Sequence, residues 1–143
     1  MIRLAATAAA AALLLTAAPA LAQSADSQIV LTFETGARTG MVMVALFDSA
    51  AAFDSDSGRP VAATAVRASG PVVATFENLP AGDYAVKAFH DVNGDGEMNM
   101  NPFGMPTEPY AFSNNAVGNM GPARWDRARF TVSGETTQTI SIR

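Results

Sequence analysis

The sequence predicts an all-β protein, specifically a seven-stranded antiparallel β-sandwich of immunoglobulin-like or transthyretin-like type with one long ordered loop. Apolar residues alternate with polar ones at a period of two along most of the chain. Clusters of Gly, Pro and Asp interrupt that alternation at short intervals, as turns do between strands. Beyond residue 22 no segment has convincing helical periodicity, so no helix is expected. A closed barrel is the alternative arrangement of the same strands.

Seven segments carry the strand pattern. In the first, Ile29, Leu31 and Phe33 form one apolar face, whereas the second is apolar on both faces, which is typical of a central strand. The third contains Pro60, which cannot donate a ladder hydrogen bond, so it is expected at a sheet edge. The fourth and fifth flank the short connection 79–83 and are expected to form a hairpin. The predicted strands span residues 28–35, 41–48, 60–68, 72–77, 84–90, 127–132 and 136–142.

Tyr84 follows the corner glycine Gly82 at the start of the fifth predicted strand. A tyrosine in this position can hydrogen-bond back across the turn and hold two strands together. We therefore predict a structural role for its hydroxyl group.

The chain is long enough for one domain, preceded by a targeting segment. Arg3 supplies a positive charge, residues 4–18 are apolar, and Ala20-Leu21-Ala22 forms a small-x-small cleavage site. We predict a signal peptide over residues 1–22, cleavage near Ala22, and a mature single domain over residues 23–143 in the periplasm or outside the cell. No later stretch is apolar enough to span a bilayer.

Composition excludes several classes of function. The chain has no cysteine, which rules out disulfides, thiol catalysis and zinc–thiolate sites. Its formal charge of −4 and pI near 4.7 argue against nucleic acid as a partner, because that affinity comes mainly from neutralised phosphates.

The segment 91–125 has no strand or helix periodicity, and such a long segment in a compact domain is normally functional or ordered by something other than a sheet ladder. It begins with oxygen-bearing side chains at positions one, three, five and nine and glycine at six, like the first half of an EF-hand calcium loop. Position twelve is Pro102 rather than the closing Glu, and the same residues also build Asx turns without metal. Three hypotheses therefore remain for this loop: it binds calcium, it binds another divalent ion, or it is a cluster of turns without an ion. The candidate ligands are Asp91, Asn93, Asp95, Glu97 and Asn99.

Other polar and aromatic residues near this loop have two interpretations each. His90, the only histidine, is more simply a hydrogen-bonded residue at the loop base than a metal ligand or an acid–base catalyst. Ser113 lies in an asparagine-rich turn without an evident activating base. Four aromatic residues form either a binding platform or a small satellite core. Three arginines form a basic cluster, of which Arg127 and Arg129 are expected on a solvated face with occasional pairing to the acidic loop. These residues are Phe103, Tyr110, Phe112 and Trp125, and Arg124, Arg127 and Arg129.

Two stretches, 79–96 and 103–116, together with Gly121-Pro122 and the strand around Phe130, resemble the bacterial "domain of unknown function 2141" family. The H-D-x-N-x-D-G signature falls on His90, Asp91, Asn93, Asp95 and Gly96. The G-x-P-x-E-x-Y-x-F-S-N-N signature falls on Gly104, Pro106, Glu108, Tyr110, Phe112, Ser113, Asn114 and Asn115.

The resemblance implies an all-β sandwich, a signal peptide and an envelope location, in a family without an established biochemical activity. This chain departs from the family pattern beside the tyrosine, where Pro109 and Ala111 replace the usual glycines. The loop is stiffer as a result, which puts in doubt any ligand that needs close approach to the backbone.

Three functions follow as hypotheses. The preferred one is a non-catalytic exported envelope module whose acidic loop, ordered by calcium in one interpretation, binds an envelope protein or glycan. A small periplasmic hydrolase using His90 with Asp91 or Glu108 is disfavoured, because there is no second histidine, no cysteine and no nucleophile motif. A purely structural envelope protein is the third. The predicted binding surface consists of His90, Glu108, Tyr110, Phe112, Ser113, Asn114, Asn115 and Trp125.

Overall fold

The computed structural model describes residues 27–143, so the predicted signal peptide at residues 1–22 lies outside the described residues. Strands dominate, and every helix is a single short turn. In chain order the elements are β1 (Ser27–Glu34), β2 (Met41–Phe47), α1 (Ala50–Phe53), β3 (Ala62–Arg67), β4 (Val72–Leu79), β5 (Gly82–Asp91), β6 (Tyr110–Phe112), a 3-10 helix (Ser113–Asn115), α2 (Trp125–Ala128), β7 (Phe130–Val132) and β8 (Glu135–Ser141).

The strands form two sheets, which confirms the all-β prediction. One sheet has the order β4-β1-β8, and the other has the order β3-β2-β5-β6 with β7 also paired to β5. β2 is central and β3 lies at an edge, as the sequence predicted. The additional strand, β6, lies inside the segment expected to be a loop. It follows Pro109 and is only three residues long, so it is too short to show a period of two.

One strand pair is parallel rather than antiparallel. β8 runs parallel to β1, with Gln28 aligned to Glu135 and Glu34 to Ser141. The chain leaves β7 through a turn at Gly134, whose carbonyl accepts a hydrogen bond from Gln28 N–H at 3.0 Å. β8 therefore starts beside the first residues of β1. Because it then follows β1 along its whole length, the two strands are parallel.

The predicted hairpin between the fourth and fifth strands is wrong. β4 pairs with β1, and β5 pairs with β2, so the connection after Leu79 crosses from one sheet to the other. Asn78 takes a left-handed conformation (φ 57°) just before this crossing. Alternation identified the buried face of each strand correctly, but alternation alone does not select the neighbouring strand.

Tyr84 holds the crossing, as predicted. Its hydroxyl group donates a 2.8 Å hydrogen bond to the Pro80 carbonyl, and its ring is buried in the core between the sheets. Burial raises the pKa of Tyr84, and the charge of Asp48 raises it further. The phenol therefore stays protonated and available as a donor at neutral pH.

Two apolar clusters stabilise the fold. The main core lies between the inner faces of the sheets, and Ile29, Leu31, Val42, Leu46 and Val86 are fully buried in it. A second cluster covers one end of the outer face of the larger sheet, where Phe53 contacts three other aromatic rings edge-on. Its aromatic members are Phe47, Phe53, Phe112 and Trp125.

The second cluster contains both short α-helices, which the sequence analysis did not predict. Each has four residues, too few to display a repeat of 3.6. The Asp54 carboxylate joins them, since it accepts hydrogen bonds from Trp125 N–H at 2.9 Å and from Arg124 at 3.3 Å. Arg129 pairs with Asp83, so the paired arginines contact acids outside the long segment. Among residues 27–143, none of the helices has the length and apolar character needed to cross a bilayer.

Replacing Tyr84 with Phe removes the hydrogen bond to Pro80 and keeps the buried ring. We expect Tyr84→Phe to lower the free energy of unfolding by about 1 kcal/mol, the usual net contribution of one such bond. Urea denaturation measures the change. Tyr110→Phe is the matched control, because that ring is 40% exposed. Equal stability of Tyr84→Phe and the wild type would contradict the structural role of this hydroxyl group.

Candidate functional site

The long segment leaves β5 at Asp91, whose side chain is 1% exposed. Both carboxylate oxygens accept backbone hydrogen bonds, Oδ1 from Gly94 N–H at 2.6 Å and Oδ2 from Gly96 N–H at 2.8 Å. Gly96 has φ +80°, a left-handed conformation that a glycine adopts without strain. The predicted sharp turn at Gly96 is therefore present, and Asp91 is the residue that closes it.

Glu108 performs the same task where the segment returns to the sheet. Its side chain is 8% exposed, and its oxygens accept from Val92 N–H at 3.0 Å and Asn99 N–H at 3.2 Å. Two largely buried carboxylates therefore accept hydrogen bonds from four backbone N–H groups that have no partner in a neighbouring strand. They fix residues 92–109, which we call the wall segment, against the end of the larger sheet.

The outer rim of the turn is a network of exposed side chains. Asn93 and Asn99 each donate to Asp95 Oδ2 at 2.9 Å, and Glu97 N–H donates to Asp95 Oδ1 at 2.9 Å. Hydrogen bonds from the Asn99 side chain, the Glu97 backbone and the Asn93 side chain hold the pKa of Asp95 below its usual range. Asp95 is therefore ionised at neutral pH.

Four of the five residues proposed as calcium ligands, namely Asp91, Asn93, Asp95 and Asn99, thus use side-chain oxygens as hydrogen-bond acceptors. Within residues 27–143, no three Asp, Glu, His or Cys side chains converge as a metal-binding group. A cation at the rim needs amide and backbone oxygens beside the carboxylates, and it must displace amide donors from Asp95. Calcium stays a prediction for this loop.

His90 is buried at the base of the wall segment. Its Nε2 donates a hydrogen bond to the Thr39 carbonyl at 2.6 Å, which ties β5 to the turn before β2. Gly40 in that turn has φ +75°, and a Cβ atom there would lie 2.0 Å from the Asp91 carbonyl oxygen. The close approach of the two segments requires glycine at position 40. The structural interpretation of His90 is therefore the one that the geometry supports.

Ser113 and Asn114 are also used inside the fold. The Ser113 hydroxyl group is fully buried, donates to the Ala128 carbonyl at 2.6 Å and accepts from Val86 N–H at 2.8 Å. Asn114 donates to the carbonyl groups of residues 127–129 and exchanges hydrogen bonds with Gln138. Both side chains join α2 to the sheets rather than facing a ligand.

Asn115 protects the edge of the smaller sheet. Its side-chain amide donates to the Thr139 carbonyl at 3.0 Å and accepts from Ser141 N–H at 2.8 Å. This geometry imitates a neighbouring strand, so part of the free edge of β8 is satisfied. Asn115 has φ 50°, a left-handed conformation that Asn tolerates better than most residues.

The wall segment and the outer face of the larger sheet enclose an apolar groove of about 1190 Å³. Met43, Ala45 and Phe89 on the central strands lie on its floor, and the edge strands add Ala63 and Tyr110. Methionines dominate the walls, and three of them are more than half exposed. The wall residues are Met98, Met100, Gly104, Met105 and Pro106 from the wall segment, and Met120, Gly121 and Pro122 from the chain before α2.

Among residues 27–143, Lys87 is the only cation that lines this groove, and it is the only lysine in the full sequence. Its ammonium group lies over two aromatic rings, 4.8 Å from the Phe53 centroid and 5.2 Å from the Phe47 centroid. Burial lowers the pKa of Lys87, while the charges of Asp54 and Asp56 partly oppose that shift.

Sequence reasoning missed the methionines and Lys87. Met98, Met100 and Met105 are close in the chain, but Met43 and Met120 are far from them, and these five line one groove only in the folded protein. A signal was present at Lys87, because it shares a strand face with Phe89 in a segment that is otherwise apolar.

The predicted aromatic residues separate into two groups. Phe112 and Trp125 are buried in the second cluster, as the satellite-core interpretation expected. Tyr110 is 40% exposed at the groove, and Phe103 is 90% exposed on the wall segment. Only this second pair is available to a partner.

The family described as "Uncharacterized protein conserved in bacteria (DUF2141)" matches residues 34–141. The match covers well over half of the chain, so the chain belongs to this family. No curated protein and no solved structure matches the chain.

Replacing Asp91 with Asn puts an amide donor where two backbone donors converge. At least one of them then loses its acceptor in a buried site, which costs about 2–3 kcal/mol. We expect Asp91→Asn to lower the free energy of unfolding by that amount in urea denaturation, and to increase the amide exchange rates of Gly94 and Gly96.

Asp95→Asn is the matched control, because its carboxylate lies on the exposed rim. We expect a loss below about 1 kcal/mol for it, as for most exposed polar groups. If the two variants were equally stable, the buried carboxylate would not be what holds the wall segment.

Proposed function

We propose that this DUF2141 protein is a non-catalytic binding module of the cell envelope and that its binding surface is the apolar groove. The observation that carries the proposal is the exposure of methionine side chains beside a rigid sheet, at 56% for Met100 and 61% for Met105. Contiguous exposed apolar surface is a liability in a monomer and commonly marks a binding site. The flexible thioether chain adapts to partners of different shape.

The chemistry of the lining favours an apolar partner over a glycan. Sugar recognition requires several convergent hydrogen-bonding side chains, whereas among residues 27–143 only Asp56, Thr64, Lys87 and Tyr110 bring hydrogen-bonding or charged side chains to this groove. A polar ligand would lose its water contacts here without replacement.

The burial of the candidate catalytic residues supports a non-catalytic role. His90 is 1% exposed and Ser113 is fully buried, so neither is placed to reach a substrate at the groove. No observation on the described residues favours hydrolysis over binding.

The proposed envelope location rests on the sequence alone. Arg3, the apolar stretch 4–18 and the small-x-small site ending at Ala22 support export, with the mature chain in the periplasm or outside the cell. We also propose an immunoglobulin-like or transthyretin-like sandwich, supported by the shared core between the two sheets and by the Tyr84–Pro80 hydrogen bond.

Filling the groove tests the proposal. Ala63 is exposed on β3 opposite Ala45, and Ala63→Trp places a large ring on the floor. We expect the wild type to bind the neutral fluorescent probe N-phenyl-1-naphthylamine and Ala63→Trp to raise its Kd by about tenfold or more, an energetic change of ~1.4 kcal/mol.

Val73→Trp provides the control, because Val73 is 43% exposed on the other sheet. Its probe affinity should match that of the wild type. Absence of binding by the folded wild type, or equal loss in both variants, would remove the groove as the binding surface and favour a purely structural protein.

For the Asp91–Asn99 turn we propose calcium as the ion. The support is the spacing of its oxygen-bearing side chains and the ionised state of Asp95. Because the oxygens now accept amide hydrogen bonds, we expect an affinity in the millimolar range of extracellular calcium modules.

Calcium at ten times its Kd should stabilise the wild type by about 1.4 kcal/mol. Thermal unfolding with calcium, and with magnesium as the ionic control, measures this effect. The rise in melting temperature caused by calcium should be absent in Asp95→Ala. If calcium left the melting temperature of the wild type unchanged, the calcium proposal would be wrong and hydrogen bonds alone would close the turn.

A further inference from the structure

Lys87 has an unusual position for a charged side chain. It extends from β5, in the middle of the larger sheet, toward the outer face that forms the floor of the groove. The salt bridges within 4.0 Å among residues 27–143 are Arg124–Asp54 and Arg129–Asp83, so Lys87 has no carboxylate in direct contact there. Its ammonium group lies over the faces of Phe53 and Phe47.

Aromatic rings replace only part of the stabilisation that an ammonium group loses when water is removed from it. Desolvation is the largest influence on the pKa of Lys87 and lowers it, which means that the charged form is under-stabilised in the folded protein. An anion bound beside Nζ would correct this deficit. The site therefore favours a ligand with one negative group.

The rest of the groove specifies what must be attached to that group. Its floor and walls are hydrocarbon and thioether surface, with few polar atoms to satisfy a peptide backbone. A bound peptide would bury amide groups without partners, whereas an alkyl chain has none to satisfy. Methionine walls also adjust to a chain of variable length.

The charge of the head group follows from its surroundings. Phosphate is usually held by several donors or by a bidentate arginine, and within the described part of the chain Lys87 is the only basic residue that lines the groove. Asp56 also lines the groove, and its charge repels a phosphate dianion more strongly than a carboxylate monoanion. These two facts favour a single carboxylate over a phosphate ester.

We propose that the apolar groove binds a free long-chain carboxylate, with the alkyl chain against the methionines and the carboxylate accepting a hydrogen bond from Lys87 Nζ. This assignment rests on the proposed function and names the ligand of the same groove.

The test uses the mature chain and displacement of N-phenyl-1-naphthylamine by dodecanoate, dodecanol and dodecyl phosphate below their micelle concentrations. These compounds share one alkyl chain and differ in the head group. We expect dodecanoate to displace the probe at a concentration about tenfold or more below that of dodecanol, the factor expected for a charge-assisted hydrogen bond. Dodecyl phosphate should be the weaker of the two anions. Each methylene removed from the carboxylate should raise its Kd about fourfold.

Lys87→Met keeps an unbranched side chain and removes the charge. It should abolish the preference for dodecanoate over dodecanol while probe binding persists. Equal displacement by the two compounds in the wild type, or a preference that survives in Lys87→Met, would overturn the carboxylate assignment and leave the groove itself intact. A stronger dodecyl phosphate would instead identify a phosphate-bearing lipid. Absence of probe binding would reject the proposed function.

A measurement on the wild type guards against misfolding of the variant. Because Lys87 is the only lysine, selective labelling with ¹³C-lysine gives side-chain NMR signals from one residue. Dodecanoate should raise the pKa of Lys87 toward its ordinary value, since the bound anion favours the ammonium form. A pKa that dodecanoate and dodecanol leave equally unchanged would contradict the contact.

Discussion

The groove depends on two buried carboxylates, which together accept hydrogen bonds from four backbone N–H groups. The wall segment has no strand neighbour for most of its length, so its amide groups need other acceptors. Asp91 supplies two where the segment leaves the sheet, and Glu108 supplies two where it returns. Because these acceptors lie at the end of the larger sheet, the segment stands beside the outer face instead of extending into solvent.

The sheet itself explains why that outer face is apolar. β2 and β5 are central strands with apolar residues on both faces, and the inner set fills the core between the sheets. The outer set is divided along the strands. Phe47 and Ala85 join the aromatic cluster at one end, Asp91 anchors the wall segment at the other, and Lys87 lies between them. The groove is the part of this face that neither the cluster nor the wall covers.

The alternation of apolar and polar residues predicted which residues of each strand are buried and which strand is central. It did not predict that β4 and β5 belong to different sheets, because alternation carries no information on the partner strand. It missed β6 and both α-helices, since three or four residues cannot display a period. The turn at Gly96 was predictable from local chemistry, whereas the groove was not, because Met43, Met105 and Met120 are distant in sequence and line one groove only in the folded chain.

The two surfaces of the groove are held by different interactions and therefore differ in stability. The floor belongs to a hydrogen-bonded sheet packed on an apolar core, so it opens only when the domain unfolds. The wall has little buried apolar surface of its own, with Phe103 and Met105 largely exposed, and depends on Asp91 and Glu108. Segments with few buried contacts open at lower free energy than the core. The wall is therefore the less stable side of the groove, and the sheet that forms the floor is the more stable side.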